Sequence, residues 1–323
     1  ADVMLTTHAA AQAIGGLASG ADVGFARVTT DSRAVQAGDL FVALKGERFD
    51  AHDFVAGALA AGAAAALVRA DFPELPGASL IRVDDTLAAL GRLAAHWRTV
   101  GFAGRMAGIT GSSGKTSVKE MLRAILVAEA GEDAVLATAG NLNNDIGVPL
   151  TLLRLRAAHR FAVIEMGMNH PGEIRYLASL ASPNVALVNN ASGAHLEGLG
   201  TVEAVARAKG EIFAGLAAGG VAVLNAADAR LVEMAELCDG DVILYDTDHD
   251  NPALVAHRAK GGRTVSVQGH HVLLTHDGHS SIRCADLDSA AARRITAGMG
   301  EQPVAGSSVR ALLAAAAVAW SLG

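Results

Sequence analysis

A short apolar run, Met106 to Thr110, leads into Gly111-Ser112-Ser113-Gly114-Lys115-Thr116 and then into a helical pattern reaching about Ala128. This succession constrains the fold more than any other feature, because strand, glycine-rich turn and helix together form the phosphate-loop unit of a parallel α/β sheet. Glycines let several backbone N–H groups converge on one anion. The helix start adds unpaired donors and the positive end of a dipole. Lys115 would meet the β- and γ-phosphates of a nucleotide, and the Thr116 hydroxyl would complete a Mg²⁺ shell. Five residues separate Gly108 from Gly114, where the usual pattern has four. A flexible turn with a solvated lysine is the alternative, and the flanking strand and helix argue against it.

The 323 residues suffice for two or three domains with a sizeable core. A net charge of −7 argues against broad binding to nucleic acid or anionic membranes. Cys238 and Cys284 give no disulfide framework and fit a reducing cytosol. The first 20 residues show no signal peptide, and the longest apolar stretches, 58–68 and 311–320, are too short and alanine-rich to span a bilayer. A soluble, cytoplasmic monomer is expected. Of 26 basic residues five are lysines (Lys45, Lys115, Lys119, Lys209 and Lys260), so each is a candidate for a role that guanidinium cannot fill.

Residues 1–84 alternate β-like runs (40–44, 65–68, 80–83) with alanine-rich helical stretches, which predicts a small α/β domain. Leu87, Leu90, Leu93 and Trp97 have helical spacing, so residues 85–103 are expected to form a linking helix. From 104 to 323 the strand candidates are 106–110, 134–138, 161–165, 185–189, 220–224 and 242–245, with helical patterns between most of them. That rhythm predicts a mostly parallel sheet covered on both faces. Residues 264–268, 271–275 and 280–284 read as a small antiparallel meander, and 309–322 as a final helix.

In such sheets ligands bind beyond the carboxyl ends of the strands. The glycine-rich loop, Asn141-Leu142-Asn143-Asn144-Asp145, Glu165 and His195 all fall there. Glu165 closes an apolar strand, so its carboxylate should coordinate a cation or pair with a base such as an arginine. His195 is either a metal ligand or an ordinary satisfied histidine. Lys209 sits in the middle of the apolar stripe Val202, Val205, Ile212, Phe213 and Leu216, with Arg207 and Glu211 on the opposite, solvated face. It is either a snorkelling lysine or a desolvated amine ready for covalent modification or catalysis. Thr30-Asp31-Ser32-Arg33 and Leu44 to Asp53 concentrate anion-compatible groups that could equally be solvated turns.

Together, these segments resemble the Mur ligase family from about Thr30 to about Asn225. The resemblance also rests on Gly140 to Pro149, on Glu165-Met166-Gly167-Met168-Asn169-His170, on Ala194-His195-Leu196-Glu197-Gly198 and on Ala208-Lys209-Gly210-Glu211-Ile212-Phe213. It implies ATP-dependent amide formation: the terminal carboxylate of UDP-N-acetylmuramoyl-tripeptide is phosphorylated and the amine of D-alanyl-D-alanine attacks the acyl phosphate. By the family pattern Gly111, Ser112, Ser113, Gly114 and Lys115 hold ATP, and Thr116 and Glu165 hold Mg²⁺. Glu165 and His195 approach a second ion, beside Lys209 in carbamylated form. Asn141 would contact the muramoyl substrate, while Ser32, Arg33, Lys45 and His52 would hold its uridine diphosphate.

Two departures from the family pattern stand out. Ser307, Ser308 and Ala311 occupy places where the family has residues around adenine, and the chain stops at Gly323, so the family's third domain is expected to be absent. The competing expectations are a non-catalytic nucleotide- or UDP-muramoyl-binding module, a truncated inactive ligase, or a stand-alone NTPase.

Overall fold

The structure is a computed structural model describing residues 2–191, 201–236, 238, 240–276, 280–286 and 307–323, with backbone alone for 280–286, 307 and 308. Its contacts divide the chain into two compact units, Ala1–Ala103 with Asp145–Ala157, and Gly104–Asn144 with Ala158–Gly323.

The first unit is built on strands β1 (Leu5–Thr6), β2 (Leu17–Ser19), β3 (Gly24–Phe25), β4 (Arg27–Thr29), β5 (Asp39–Val42), β6 (Ala65–Arg69) and β7 (Leu80–Val83). Strands β4 to β7 run parallel, β2 pairs antiparallel at the β7 edge, and β1 pairs with β3 separately. Every residue of β5 is buried, as a strand covered on both faces requires. Its one charge, Asp39, is neutralised by a forked bond from Arg27 at 2.9 and 2.7 Å. The helix Thr86–Val100 starts where the Asp85 carboxylate accepts the N–H groups of Leu87 and Ala88. It belongs to this unit, where its Trp97 indole donates to the Leu155 carbonyl at 2.8 Å.

The second unit holds β8 (Arg105–Thr110), β9 (Val135–Ala137), β10 (Phe161–Glu165), β11 (Val185–Val188), β12 (Val221–Asn225), β13 (Asp241–Asp248), β14 (Arg263–Gln268), β15 (His271–His276) and β16 (Ser280–Asp286). They form one sheet in the order β16-β15-β14-β13-β12-β11-β8-β10-β9. All pairs from β9 to β14 are parallel, and β14, β15 and β16 pair antiparallel. The meander is therefore not a separate layer, since β14 hydrogen-bonds along β13 and extends the parallel sheet.

Side chains alternate across β8. Ala107 and Ile109 face the cluster formed by the helices Lys115–Ala130 and Ser307–Leu322, including Val118, Leu122, Leu313 and Ala315. The alanines of the last helix let it lie close against the sheet. On the other face Gly108 stands against Met166, Ile212 and Pro183. Gly108 is thus a strand residue that admits close packing, which explains why its distance from Gly114 misses the usual spacing.

Several short helices, among them Thr7–Ile14, Val55–Ala60 and Gly147–Leu152, lie in alanine-rich or small-residue windows where apolar contrast is weak. The helix beginning at Val202 ends at Gly210, and residues 211–215 tighten into a 3₁₀ turn. Residues 134–138 hold a three-residue strand preceded by another 3₁₀ turn, Glu132–Ala134.

Candidate functional site

Strand β8 lies between β10 and β11, so the connections leave it in opposite directions along the sheet. This is a switch point, where a crevice opens beyond the strand ends. The registers bring Glu165 level with Ile109, and Thr110 level with Val188. Residues that follow β8, β10 and β11 therefore meet at one rim.

The loop Gly111–Gly114 occupies that rim. Gly114 has φ 77°, a left-handed conformation directly before the helix Lys115–Ala130. A Cβ on Gly111 would fall 1.5 Å from Asn189 Oδ1, so no other residue fits there. The Lys115 ammonium folds back onto the Gly111 carbonyl at 2.9 Å. Burial pushes its pKa down while the nearby Glu165 carboxylate pulls it up.

Glu165 is 1% exposed, and its two oxygens have different neighbours. Oε1 accepts from the Thr116 hydroxyl at 3.0 Å, and Oε2 lies 3.8 Å from the Lys119 ammonium. Lys119, itself 3% exposed, also donates to the Thr138 carbonyl at 2.8 Å and pairs with Glu120 at 3.3 Å. The Glu165 N–H donates to the Thr138 hydroxyl at 2.9 Å, so the end of β9 fixes both partners. Glu165 thus has a base beside it, a lysine and not an arginine. Lys119 lies one turn from Lys115 and shares its helix face; the scarcity of lysine was its signal in the sequence.

Lys209 is fully buried and its Nζ has no hydrogen-bond partner among the described residues. Burial lowers its pKa to about 8, with a further push from the Lys115 charge and an opposing pull from Glu173. The charge of Lys115 thus reaches this amine, which does not snorkel. Its neighbour Glu211, expected to be solvated, accepts the N–H groups of Gly172 at 3.0 Å and Arg175 at 3.3 Å and so caps the helix Glu173–Ala181. His195 lies outside the described residues.

Asn189 and Asn190, which follow β11, carry no assignment from sequence reading, yet they clamp the loop. Asn190 Oδ1 accepts from the N–H groups of Ser112 at 2.8 Å and Ser113 at 3.0 Å. Both side-chain amides donate to the Ser113 carbonyl at 2.9 Å. Next to this clamp lies a cavity of about 320 Å³, lined in part by Asn190, Asn225, Tyr245, Arg310 and Ala311. Ala311 is thus a wall residue, and the side chains of Ser307 and Ser308 lie outside the description.

Asn141 is exposed past the end of β9, and its carbonyl accepts from the Asn143 N–H at 2.8 Å. In the first unit Arg33 and Lys45 are exposed and Ser32 is half-buried. Arg33 pairs with Asp31 at 3.1 Å. His52 is buried, with Nδ1 2.6 Å from Asp50 Oδ1 and Nε2 accepting the Arg69 N–H at 2.9 Å. Both ring nitrogens are engaged inside the protein, so the imidazole ties the Asp50 turn to β6.

Comparison with known proteins bears on this site. Residues 109–284 match the Mur ligase middle domain, and residues 25–98 match the Mur ligase family catalytic domain. The UDP-N-acetylmuramoyl-tripeptide–D-alanyl-D-alanine ligase of Escherichia coli strain K12 is 54% identical over 217 residues, covering 66% of this chain and 46% of that protein. The Haemophilus influenzae ligase of the same name is 43% identical over 276 residues, covering 84% of this chain and 60% of that one. A crystal structure of MurF from Acinetobacter baumannii aligns with TM-score 0.76 at 34% identity, over 99% of this chain and 65% of its own. MurF ligase from Thermotoga maritima in complex with ADP aligns with TM-score 0.69 at 26% identity, over 92% and 63%. The chain spans about half the length of the curated relatives it matches.

Proposed function

This chain belongs to the Mur ligase family, and from that premise we propose that it carries the ATP- and precursor-binding machinery of an amide ligase. The ligase joins D-alanyl-D-alanine to UDP-N-acetylmuramoyl-tripeptide in peptidoglycan precursor synthesis. The observation that carries the reading is the convergence of Lys115, Thr116, Glu165 and Lys209 at the switch point of the sheet.

The residues present suit Mg²⁺. Thr116 Oγ1 and Glu165 Oε1 are hard oxygen donors 3.0 Å apart. Among the described residues no group of three or more His, Cys, Asp and Glu could hold a metal. That donor set fits an ion that keeps most of its waters and takes its remaining ligands from phosphate. Bound there, Mg²⁺ neutralises charge on the transferring phosphoryl group.

The chain's own residues bind and orient. The loop N–H groups and Lys115 hold the phosphates, and the cavity beside Asn225 and Tyr245 takes the adenosine. The substrate carboxylate accepts the γ-phosphoryl group, and the dipeptide amine then displaces phosphate from the acyl phosphate. A buried amine without a hydrogen-bond partner among the described residues fits carbamylation of Lys209, because the neutral form is the nucleophile that captures carbon dioxide. By the family pattern His195 would meet a second ion together with Glu165. Asn141 contacts the muramoyl group. Ser32, Arg33 and Lys45 face the uridine diphosphate, while His52 shapes the turn that presents Lys45. The enzyme works as a cytoplasmic monomer; among the described residues no helix is long and apolar enough to cross a membrane.

The test is phosphate release from ATP with Mg²⁺, UDP-N-acetylmuramoyl-tripeptide and D-alanyl-D-alanine. Release that requires both substrates and disappears in Lys115→Ala supports the ligase. Hydrolysis indifferent to the muramoyl compound, or normal turnover in Lys115→Ala, refutes it.

A further inference from the structure

Two consecutive N–H groups of the phosphate loop already have a common acceptor. Asn190 Oδ1 takes the Ser112 N–H at 2.8 Å and the Ser113 N–H at 3.0 Å. Its Nδ2 donates to the Ser113 carbonyl at 2.9 Å and stands 3.3 Å from the Ser113 hydroxyl. One oxygen receiving two converging loop donors is the arrangement such a loop offers to a phosphate oxygen.

The carboxamide is held in place by its surroundings. Asn189 donates to the same Ser113 carbonyl at 2.9 Å, and its own carbonyl accepts from Asn225 Nδ2 at 3.0 Å. The Asn225 Oδ1 accepts the Ala227 N–H at 2.9 Å, which anchors the row to the end of β12.

We propose that Asn190 is a nucleotide-positioning residue, a neutral stand-in for a phosphate oxygen that keeps the Ser112 and Ser113 N–H groups converged and yields them when a nucleotide binds. This inference rests on the nucleotide-binding reading of the loop. An N–H group has one hydrogen to give, so phosphate and carboxamide compete for it. A bond to an ionised acceptor is about twice as strong as one to a neutral acceptor, so phosphate wins. An aspartate at 190 would hold the donors as firmly as phosphate does and would also repel it. A hydrocarbon side chain would take the Oδ1 acceptor from both donors and leave the Ser112 N–H its longer bond to the Asn190 main-chain carbonyl at 3.3 Å. A neutral amide preserves the cradle and still gives way.

The experiment is calorimetric titration of ADP into the unaltered chain, Asn190→Ala and Asn190→Asp, each first shown to be folded by its thermal transition. Asn190→Ala should bind ADP at least about threefold more tightly, because a competing acceptor worth one neutral hydrogen bond is gone. Asn190→Asp should bind at least about tenfold more weakly. If alanine weakens binding as aspartate does, Asn190 is a brace and the proposal is overturned. A second measurement needs no variant: on adding ADP to the unaltered chain, the Asn190 side-chain NH₂ resonances should move together with the Ser112 and Ser113 amides in nitrogen–proton spectra. Binding without movement of the Asn190 resonances overturns the proposal while leaving the nucleotide site intact. Failure of the unaltered chain to bind ADP overturns the nucleotide reading itself.

Discussion

Lys209 combines a hydrophobic setting with a titratable amine, and the consequence is measurable. In the unfolded chain it keeps its proton up to about 10.5, whereas in the fold it loses it near 8. Between those pH values the unfolded state binds more protons, so this residue makes stability rise with pH across that window. Below pH 8 the fold carries the cost of a buried charge. Lys209→Met should therefore be more stable than the parent at pH 7 by about 3 kcal/mol, from roughly 1.4 kcal/mol per pKa unit. The gain should shrink towards pH 10, read by urea unfolding in buffer freed of carbon dioxide. Lys119 is the opposite case, a buried ammonium with partners. Lys119→Met takes from the buried Glu165 carboxylate the cation paired with its Oε2 and should cost about 3 kcal/mol in denaturant unfolding. Adding Glu165→Gln should recover most of the loss; if it does not, the pair is not the cause.

At the scale of elements, the phosphate loop depends on its neighbour strand as much as on its own glycines. Gly111 is constrained by Asn189, which follows β11, and the adjoining Asn190 holds Ser112 across a separation of 78 residues. Gly111→Ala should abolish ADP binding in calorimetry while leaving the thermal transition of the first unit unchanged, because the added methyl collides within the second unit's loop. The strand–turn–helix pattern was legible from residues 106–128, since local spacing encodes it. The asparagine clamp was not, because it joins segments distant in sequence through side-chain bonds that no periodicity announces. The same reason hid the partners of Lys119. Its face on the helix could be counted, but Thr138 follows β9 and Glu165 ends β10.

At the scale of the whole molecule, two units each carry a sheet, and the second is closed on one face by helices 115–130 and 307–322. The alanine-rich stretch 311–320 is too short to span a bilayer. In the fold it is a packing surface, with Ala314, Ala315 and Ala317 buried. Ala315→Leu should destabilise the second unit by about 2 kcal/mol through overpacking, measured as a fall in its unfolding midpoint. A neutral outcome would mean that the helix can shift away from the sheet. Residues 145–157 join the first unit although both flanking stretches belong to the second. A chain that leaves a unit and returns gives no composition shift to mark the crossing.

By itself, the amino-acid order determined the parallel α/β class, the glycine-rich turn between strand and helix, the acid at the end of β10 and the lysine inside an apolar stripe. All four are written in local spacing, through periods of two and 3.6 residues and the conformational freedom of glycine. Tertiary structure alone decided that Gly108 packs rather than cradles, that Glu165 shares its oxygens between Thr116 and Lys119, and that Asn190 occupies two loop donors. Those outcomes depend on strand order, and strand order is set by which buried faces and polar ends satisfy one another once the chain has closed.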